Sequence, residues 1–436
     1  MLEETIVALA TPPGRSGVAI VRISGELSYE ILQKITRCSE TFLPRRMYLK
    51  DIYLDGYKDD ALVVYFKSPY SFTGEDVVEI QCHGGYYLAM DVIRQANIFG
   101  ARMALPGEFS KRAFLNGKMS IDQAEGIMDI INAETSEQAK AGSALIRGEL
   151  FEKIEDLQSK ITDCLASIEA KLDYPEYDFD ETEMKDIKSN LNCVKNELQT
   201  LLDTRFKGSL IKNGVKVAIV GEPNVGKSSL LNALTHSNKA IVTSVAGTTR
   251  DIIEAEYVFK GVMFRLFDTA GLHESDDLVE QIGIERAKSA IDNADIVLKL
   301  QEVGKTFEVD TANKLVLNVF TKADLHNNVD KSDEMCIYIS SNNNMNIEKL
   351  KQRIFDLTIK GLNDKNELSL TNARHIDCVE QAVKSINTAI DGLECKTLDF
   401  VVADINLAWQ KLGEITGKTS NEEIIDRVFE KFCLGK

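Results

Sequence analysis

Residues 216–234 read KVAIVGEPNVGKSSLLNAL, and no other stretch of the chain restricts its fold as much. KVAIV is short and apolar, as a buried strand is, and SLLNAL reads as the opening of a helix. Between them Gly221-Glu-Pro-Asn-Val-Gly226-Lys227-Ser228 fits the pattern G-x-x-x-x-G-K-S. A strand, a glycine-bearing loop and a helix in that order aim backbone amides and the positive end of the helix at one point. A phosphate chain fits there. The glycines allow close approach, Lys227 neutralises β and γ oxygens, and Ser228 offers its hydroxyl to magnesium.

Around this loop, FRLF, DIVLKL, KLVLNVF and CIYIS alternate with helical stretches, which predicts a Ras-like P-loop domain with a parallel-type sheet over residues 214–361. Three further pieces follow in order: Gly247-Thr248-Thr249, then Asp268-Thr269-Ala270-Gly271 after FRLF, then Thr321-Lys322-Ala323-Asp324 after LNVF. Thr249 can reach magnesium and the γ-phosphate, Asp268 can orient the metal's water, and the Gly271 amide can sense the γ-phosphate. Asp324 can accept two N–H bonds that guanine supplies and adenine does not. The set therefore points to GTP. A nucleotide-binding relic without turnover is the competing reading, and intact phosphate-contact positions favour hydrolysis. Leu272 follows DTAG where the Ras type has a water-positioning Gln, so another group must orient the water.

Residues 1–118 read instead as an α+β domain, with TIVALA, the loop TPPGRSG, VAIVRIS, ALVVYF and DVVEIQC. Strand alternation puts Arg22 on one face with Val18 and Ile20, and Glu79 on one face with Val77. A buried Arg22–Glu79 ion pair is the plain reading of that placement. From Ser120 the period becomes helical, with Leu150, Ile154, Leu157, Ile161, Leu165, Ile168 and Leu172 spaced three and four apart. Met184 to Leu201 repeats the spacing, which predicts two long helices paired antiparallel. Helix returns after the P-loop domain, so residues 119–213 and 362–436 are expected to form one discontinuous helical domain. Ser420 and Glu423 have capping-box spacing, and Phe429 and Phe432 should dock the tail.

The net charge of −17 argues against a generic nucleic-acid coat and limits RNA contact to local basic patches, PRR (44–46) and KRAFLNGK (111–118), or to a partner. The competing reading of both patches is a solvated face. Eight cysteines occur without a C-x-x-C pair, which disfavours zinc and suits a reducing cytosol. No targeting segment and no membrane-length apolar run is present, so a cytoplasmic protein without membrane attachment is expected. The ending FCLGK puts Cys433 four from the end, but Gly435 and Lys436 fit a prenylation box poorly.

In their order, TIVALATPPGRSGVAIVRISG, GEPNVGKSSLLNAL, IVTSVAGTTRD, DTAGL with VEQIGIERA, and FCLGK resemble the MnmE (TrmE) family of tRNA-modifying GTPases along nearly the whole chain. The resemblance implies a potassium ion in place of an arginine finger, with Asn224, Thr243, Val245 and Thr248 as its ligands and Glu280 orienting the water. Magnesium falls to Ser228 and Thr249, and Glu280, Lys227 and Thr249 form the catalytic set. The expected nucleotide-binding residues are Asn224, Val225, Gly226, Lys227, Ser228, Ser229, Thr243, Ser244, Val245, Ala246, Gly247, Thr248, Thr249, Asp268, Thr269, Ala270, Gly271, Thr321, Lys322, Asp324, Ser340 and Ser341.

The same resemblance implies that the N-terminal domain homodimerises and binds 5-formyltetrahydrofolate or a related tetrahydrofolate through Arg22, Glu79, Lys118 and Lys436. It places Cys433 near that pocket, where a reactive thiol and a packed small side chain are both open readings. It further implies a flavoprotein partner of the MnmG type carrying FAD, in a heterotetramer. Together they would build an aminomethyl or carboxymethylaminomethyl group on C5 of the wobble uridine (position 34) of certain tRNAs. GTP-driven pairing of the GTPase domains would couple hydrolysis to that chemistry, with DTAGLHESDDLVE as the switch.

Two departures stand out. Thr321 occupies the usual Asn position of the guanine motif, and Lys299 interrupts an apolar strand before the short segment QEVGKTFEVDTANK, which leaves a local helix in doubt. The competing functions are an RNA-binding ribosome-assembly or regulatory GTPase and a helical scaffold with a GTP clock. Neither accounts for the N-terminal domain together with FCLGK.

Overall fold

A computed structural model describes residues 4–172, 181–236, 255–268, 289–306, 308–311, 314–326, 333, 335–359, 368–395 and 397–435. The chain forms two compact units, one of residues 1–128, 142–195 and 381–436, the other of residues 129–141 and 196–380.

The first unit holds a six-stranded sheet built from β1 (Ile6–Leu9), β2 (Val18–Ser24), β3 (Met47–Tyr53), β4 (Lys58–Phe66), β5 (Val77–His83) and β6 (Arg102–Met103), in the order β3-β4-β5-β2-β1-β6. All neighbours are antiparallel except β1 and β6. One face carries Ala19, Val21, Ile23, Val78 and Ile80 beneath the helices Ser28–Thr36 and Tyr86–Ile98, whose Ile31, Leu32, Ile35, Val92 and Ile93 are buried on it. On the other face Ile6 and Ala8 pack with Ala104 and Phe109. Ala8 pairs with Arg22 and Arg22 with Glu79, so both charges lie across this second face, opposite the helix-covered core.

Also in this unit, the helix Glu149–Leu172 buries Leu150, Ile154, Leu157, Ile161 and Ile168. Its backbone comes closest to that of the helix Leu398–Thr416. Ala408 of that helix is fully buried, and a Cβ on Gly413 would meet Thr419 Oγ1 at 2.6 Å and Gln158 Nε2 at 3.0 Å. Gln158 Nε2 donates to the Trp409 carbonyl at 2.8 Å across that seam.

The last helix is Glu422–Phe429, and its cap is Asn421 rather than Ser420: the Asn421 side chain accepts from the Ile424 amide at 2.9 Å. Ser420 Oγ instead donates to the Glu414 carbonyl at 3.2 Å. Phe429 and Phe432 are buried against Ile121 and Ala124, so the tail is docked as its aromatic spacing implied.

The second unit holds β7 (Val215–Gly221), β8 (Ala255–Phe259), β9 (Val262–Asp268), β10 (Ile296–Glu302), β11 (Leu315–Thr321) and β12 (Cys336–Tyr338), in the order β12-β11-β10-β7-β9-β8. Every pair is parallel except β8 with β9, a hairpin strand that the apolar pattern did not reveal. Burial on both faces accounts for the continuous apolar run of β7. Leu230 and Leu234 of the helix Lys227–His236 and Leu350 and Ile354 of the helix Ile347–Thr358 join one core; Ile291, Ala294 and Val309 pack in another with Ala218, Val220 and Val297. Lys299 does not break β10, which runs unbroken between β7 and β11 with Lys299 half-buried. A long side chain can lay its stem along the sheet while its ammonium reaches water. Among the described residues of 303–311 there is no helix.

Candidate functional site

At the C-terminal end of β7 the chain turns through Asn224 with φ 60 and Gly226 with φ 104, and the helix begins at Lys227. The left-handed turns curl the loop around a concavity above that helix end. Val225 points inward and is buried, while Asn224, Ser228 and Ser229 are exposed. Lys227 is 9% exposed, and its Nζ donates to the carbonyls of Gly221 at 2.6 Å and Glu222 at 3.0 Å. The ammonium is thus held over the loop, where a phosphate would be met.

The guanine-type motif closes on the same loop. Thr321 is buried at the end of β11, and its Oγ1 donates to the Val225 carbonyl at 2.7 Å. The departure from Asn therefore keeps a direct tie between base motif and phosphate loop. Lys322 has φ 58 and pairs with Glu302 at the end of β10, which also pairs with Lys305 at 2.6 Å. Lys305 and then Lys322 hold the Glu302 carboxyl down at about 2. Asp324 lies in the short turn Ala323–Leu325, fixed by the Ala323 amide donating to the Ile339 carbonyl at 3.1 Å. Ser340 is 1% exposed, and among the described residues its Oγ has no hydrogen-bond partner. A buried unpaired hydroxyl is costly and marks a place where a ligand would be met. Ser341 follows, half-buried.

Asp268 ends β9. Thr243, Ser244, Val245, Ala246, Gly247, Thr248, Thr249, Thr269, Ala270, Gly271, Glu280 and Lys436 lie outside the described residues.

The second predicted site is in the first unit. Arg22 Nη2 meets Glu79 Oε1 at 2.8 Å and Nε meets the same oxygen at 2.9 Å, with both side chains less than a fifth exposed. The ion pair is present, and it is not isolated. The guanidinium lies over the rings of Phe72 and Phe109, 5.4 and 5.8 Å from their centroids, and Nη1 donates to the Gly435 carbonyl at 3.5 Å. The tail reaches Arg22 because Gly435 adopts φ 91 against β1, where a Cβ would fall 2.2 Å from the Leu9 carbonyl. Cys433 is exposed, and its carbonyl accepts from the Gly107 amide at 3.4 Å.

Lys118 is not beside Arg22 directly. Its Nζ donates to the Pro69 carbonyl at 2.9 Å and its stem packs beside Gly74, so it braces the loop 67–76 that lays Phe72 on Arg22. That loop is further pinned by Thr73 and Glu75, both bonded to Ser24 Oγ at 2.7 Å, and by Arg112, which is 2% exposed and meets Glu75 at 3.1 Å. Arg112 and Arg102 also clamp Glu108 at 2.9 and 2.7 Å. Burial pushes the Glu108 carboxyl up, but the bonds from Arg102, the Leu105 amide and Arg112 outweigh it and hold it at about 2. Sequence reading missed Phe72, Phe109, Glu75 and Arg112. A cation stacked by rings from distant loops leaves no periodic signal.

The descriptions "GTP-binding protein TrmE N-terminus" and "MnmE helical domain" match residues 5–118 and 121–433. A protein of Natranaerobius thermophilus named tRNA modification GTPase MnmE is 38% identical over 100% of both chains. One of the same name from Alkaliphilus oremlandii is 39% identical, again over 100% of both, and one from Acetivibrio thermocellus is 38% identical over 100% of this chain and 99% of its own.

Proposed function

Because the chain belongs to the MnmE family of tRNA modification GTPases, we propose that it hydrolyses GTP in a potassium-dependent way to drive modification of the tRNA wobble uridine with a one-carbon unit from a tetrahydrofolate. The observation that carries the nucleotide half is the P-loop bound to the guanine motif through Thr321, with Lys227 poised over it. Arg22 between two aromatic rings carries the folate half, since a flat pteridine and an anionic glutamate tail suit rings, a guanidinium and a carboxylate together.

In this reading Lys227 and the loop amides bind the phosphates, Asp324 accepts the guanine N–H groups, and Ser340 and Ser341 border the base. Ser228 and Thr249 would hold magnesium. Asn224, with Thr243, Val245 and Thr248, would hold potassium, which supplies positive charge where it develops on the transferring phosphoryl group. Glu280 would orient the attacking water. Arg22, Glu79, Lys118 and Lys436 would bind the tetrahydrofolate, with Cys433 at the pocket's edge. The working units are residues 1–118, the helical pair 119–213 and 362–436, and the GTPase domain 214–361. The protein would act in the cytoplasm as a homodimer with an FAD-bearing MnmG-type flavoprotein. Among the described residues no helix is long and apolar enough to cross a membrane.

The direct test is GTP turnover in potassium and in sodium at matched ionic strength. Faster turnover in potassium is expected; equal rates would remove the ion from the mechanism.

A further inference from the structure

Of the two basic runs near the N-terminus, one is absorbed by the fold. In KRAFLNGK, Lys111 pairs with Asp426, Arg112 is buried against Glu75 and Glu108, and Lys118 is bonded to the Pro69 carbonyl. Each cation of this run thus has a partner within the fold, although Leu115 to Lys118 remain exposed. The other run, Pro44-Arg45-Arg46, is exposed on the turn that leads into β3.

The Arg45 guanidinium lies over the Tyr70 ring, 5.6 Å from its centroid, and Nη2 donates to the Tyr70 carbonyl at 3.2 Å. Arg46 lies over Tyr48 at 5.5 Å. Tyr48 is itself fixed, its hydroxyl accepting from the Leu43 amide at 3.0 Å and its ring set edge-on to Phe42. Lys67, an exposed cation, starts the turn that presents Tyr70, the Tyr70 amide donating to the Lys67 carbonyl at 2.9 Å. Tyr70 is 68% exposed, an unusual position for a large ring.

Among the described residues, Arg45, Arg46 and Lys67 have no carboxylate partner; of the two acids in the same loop, Glu75 is engaged by Ser24 and Arg112, and Asp76 by the Ser68 amide at 2.8 Å and by Tyr65. Net charge singles out this part of the chain. Residues 1–118 hold 14 Lys and Arg against 14 Asp and Glu, so the whole −17 lies in residues 119–436. On net charge, this part of the chain repels a polyanion less than the rest does.

We propose that Arg45, Arg46, Lys67 and Tyr70 form a grip for unpaired nucleotides of the tRNA substrate, with phosphates against the three cations and a base stacked on the Tyr70 ring. This rests on the tRNA modification reading above. Exposed aromatic rings interleaved with unpaired cations are the chemistry that holds single-stranded nucleic acid, because every base has a face to stack and every phosphate a charge to neutralise. The tyrosines are already laid against guanidinium planes, so little ordering cost remains on binding.

The test is fluorescence anisotropy of the full chain with a labelled, unmodified tRNA transcript whose anticodon begins with uridine, read across a salt series. The Arg45→Ala/Arg46→Ala double variant is expected to bind at least about tenfold more weakly, with a salt slope shallower by one to two ions. Tyr70→Ala should weaken binding about fivefold or more and Tyr70→Phe should restore it. GTP turnover without tRNA should be unchanged in all of them, which confirms that they are folded. Parental affinity in the double variant overturns the grip, as does absence of tRNA binding by the parent. If the double variant keeps its tRNA affinity and loses its self-association, the turn is a protein interface and the proposal fails. Failure of the modification reading would show separately, as unchanged tRNA nucleosides in cells lacking the gene.

Discussion

Thr321 has one hydroxyl where the family usually has an amide, and its short bond to the Val225 carbonyl, with a longer 3.5 Å approach to the Gln301 carbonyl, joins two motifs 96 residues apart. Thr321→Val keeps the shape and removes the donor, leaving a buried carbonyl unpaired at a cost of about 1–3 kcal/mol. GDP affinity measured by fluorescence titration should fall about tenfold, with secondary structure unchanged; parental affinity would show that the tie is dispensable. Glu108 allows a pH prediction. Its carboxyl is held at about 2 in the folded chain, below its ordinary value, so the stabilisation is present above pH about 4.5 and is lost as pH falls toward 2. Glu108→Gln should therefore lower unfolding free energy by about 2 kcal/mol at pH 7, and the difference from the parent should shrink in denaturant titrations carried below pH 4. A difference that stays constant across that window would mean the loss is packing rather than charge.

At the scale of elements, the proposed tetrahydrofolate site depends on the tail after the helix Glu422–Phe429, whose Gly435 carbonyl accepts from Arg22. Gly435 sits at φ 91 with its backbone against Leu9, so Gly435→Ala is excluded by both conformation and contact. The variant should lose 5-formyltetrahydrofolate binding about tenfold or more in calorimetry while nucleotide affinity stays parental; unchanged folate binding would detach the tail from the site. The phosphate loop and the long helices were legible from sequence because their signals are local: a glycine pattern between strand and helix, and apolar residues three and four apart. The approach of Leu398–Thr416 to Glu149–Leu172 was not legible, since the Gln158–Trp409 bond between them spans 251 positions of sequence. Asn421 displaced Ser420 as the cap although both residue types cap well, because Ser420 Oγ is taken by the Glu414 carbonyl. The aromatic bed of Arg22 was hidden for the same reason: Phe72 and Phe109 meet it only in the fold.

At the scale of the whole molecule, one chain carries a phosphate loop tied to a guanine motif and, in another unit, a guanidinium held between rings beside its own C-terminal tail. A GTP clock alone has no use for the second, and relatives named tRNA modification GTPase extend over the full chain. The central claim is tested most directly by mass-spectrometric nucleoside analysis of bulk tRNA from cells lacking this gene, with and without the gene restored. The account predicts loss of C5-aminomethyl-type wobble uridines and their recovery on complementation. Unchanged nucleosides, in cells holding no second copy of the enzyme, would contradict it.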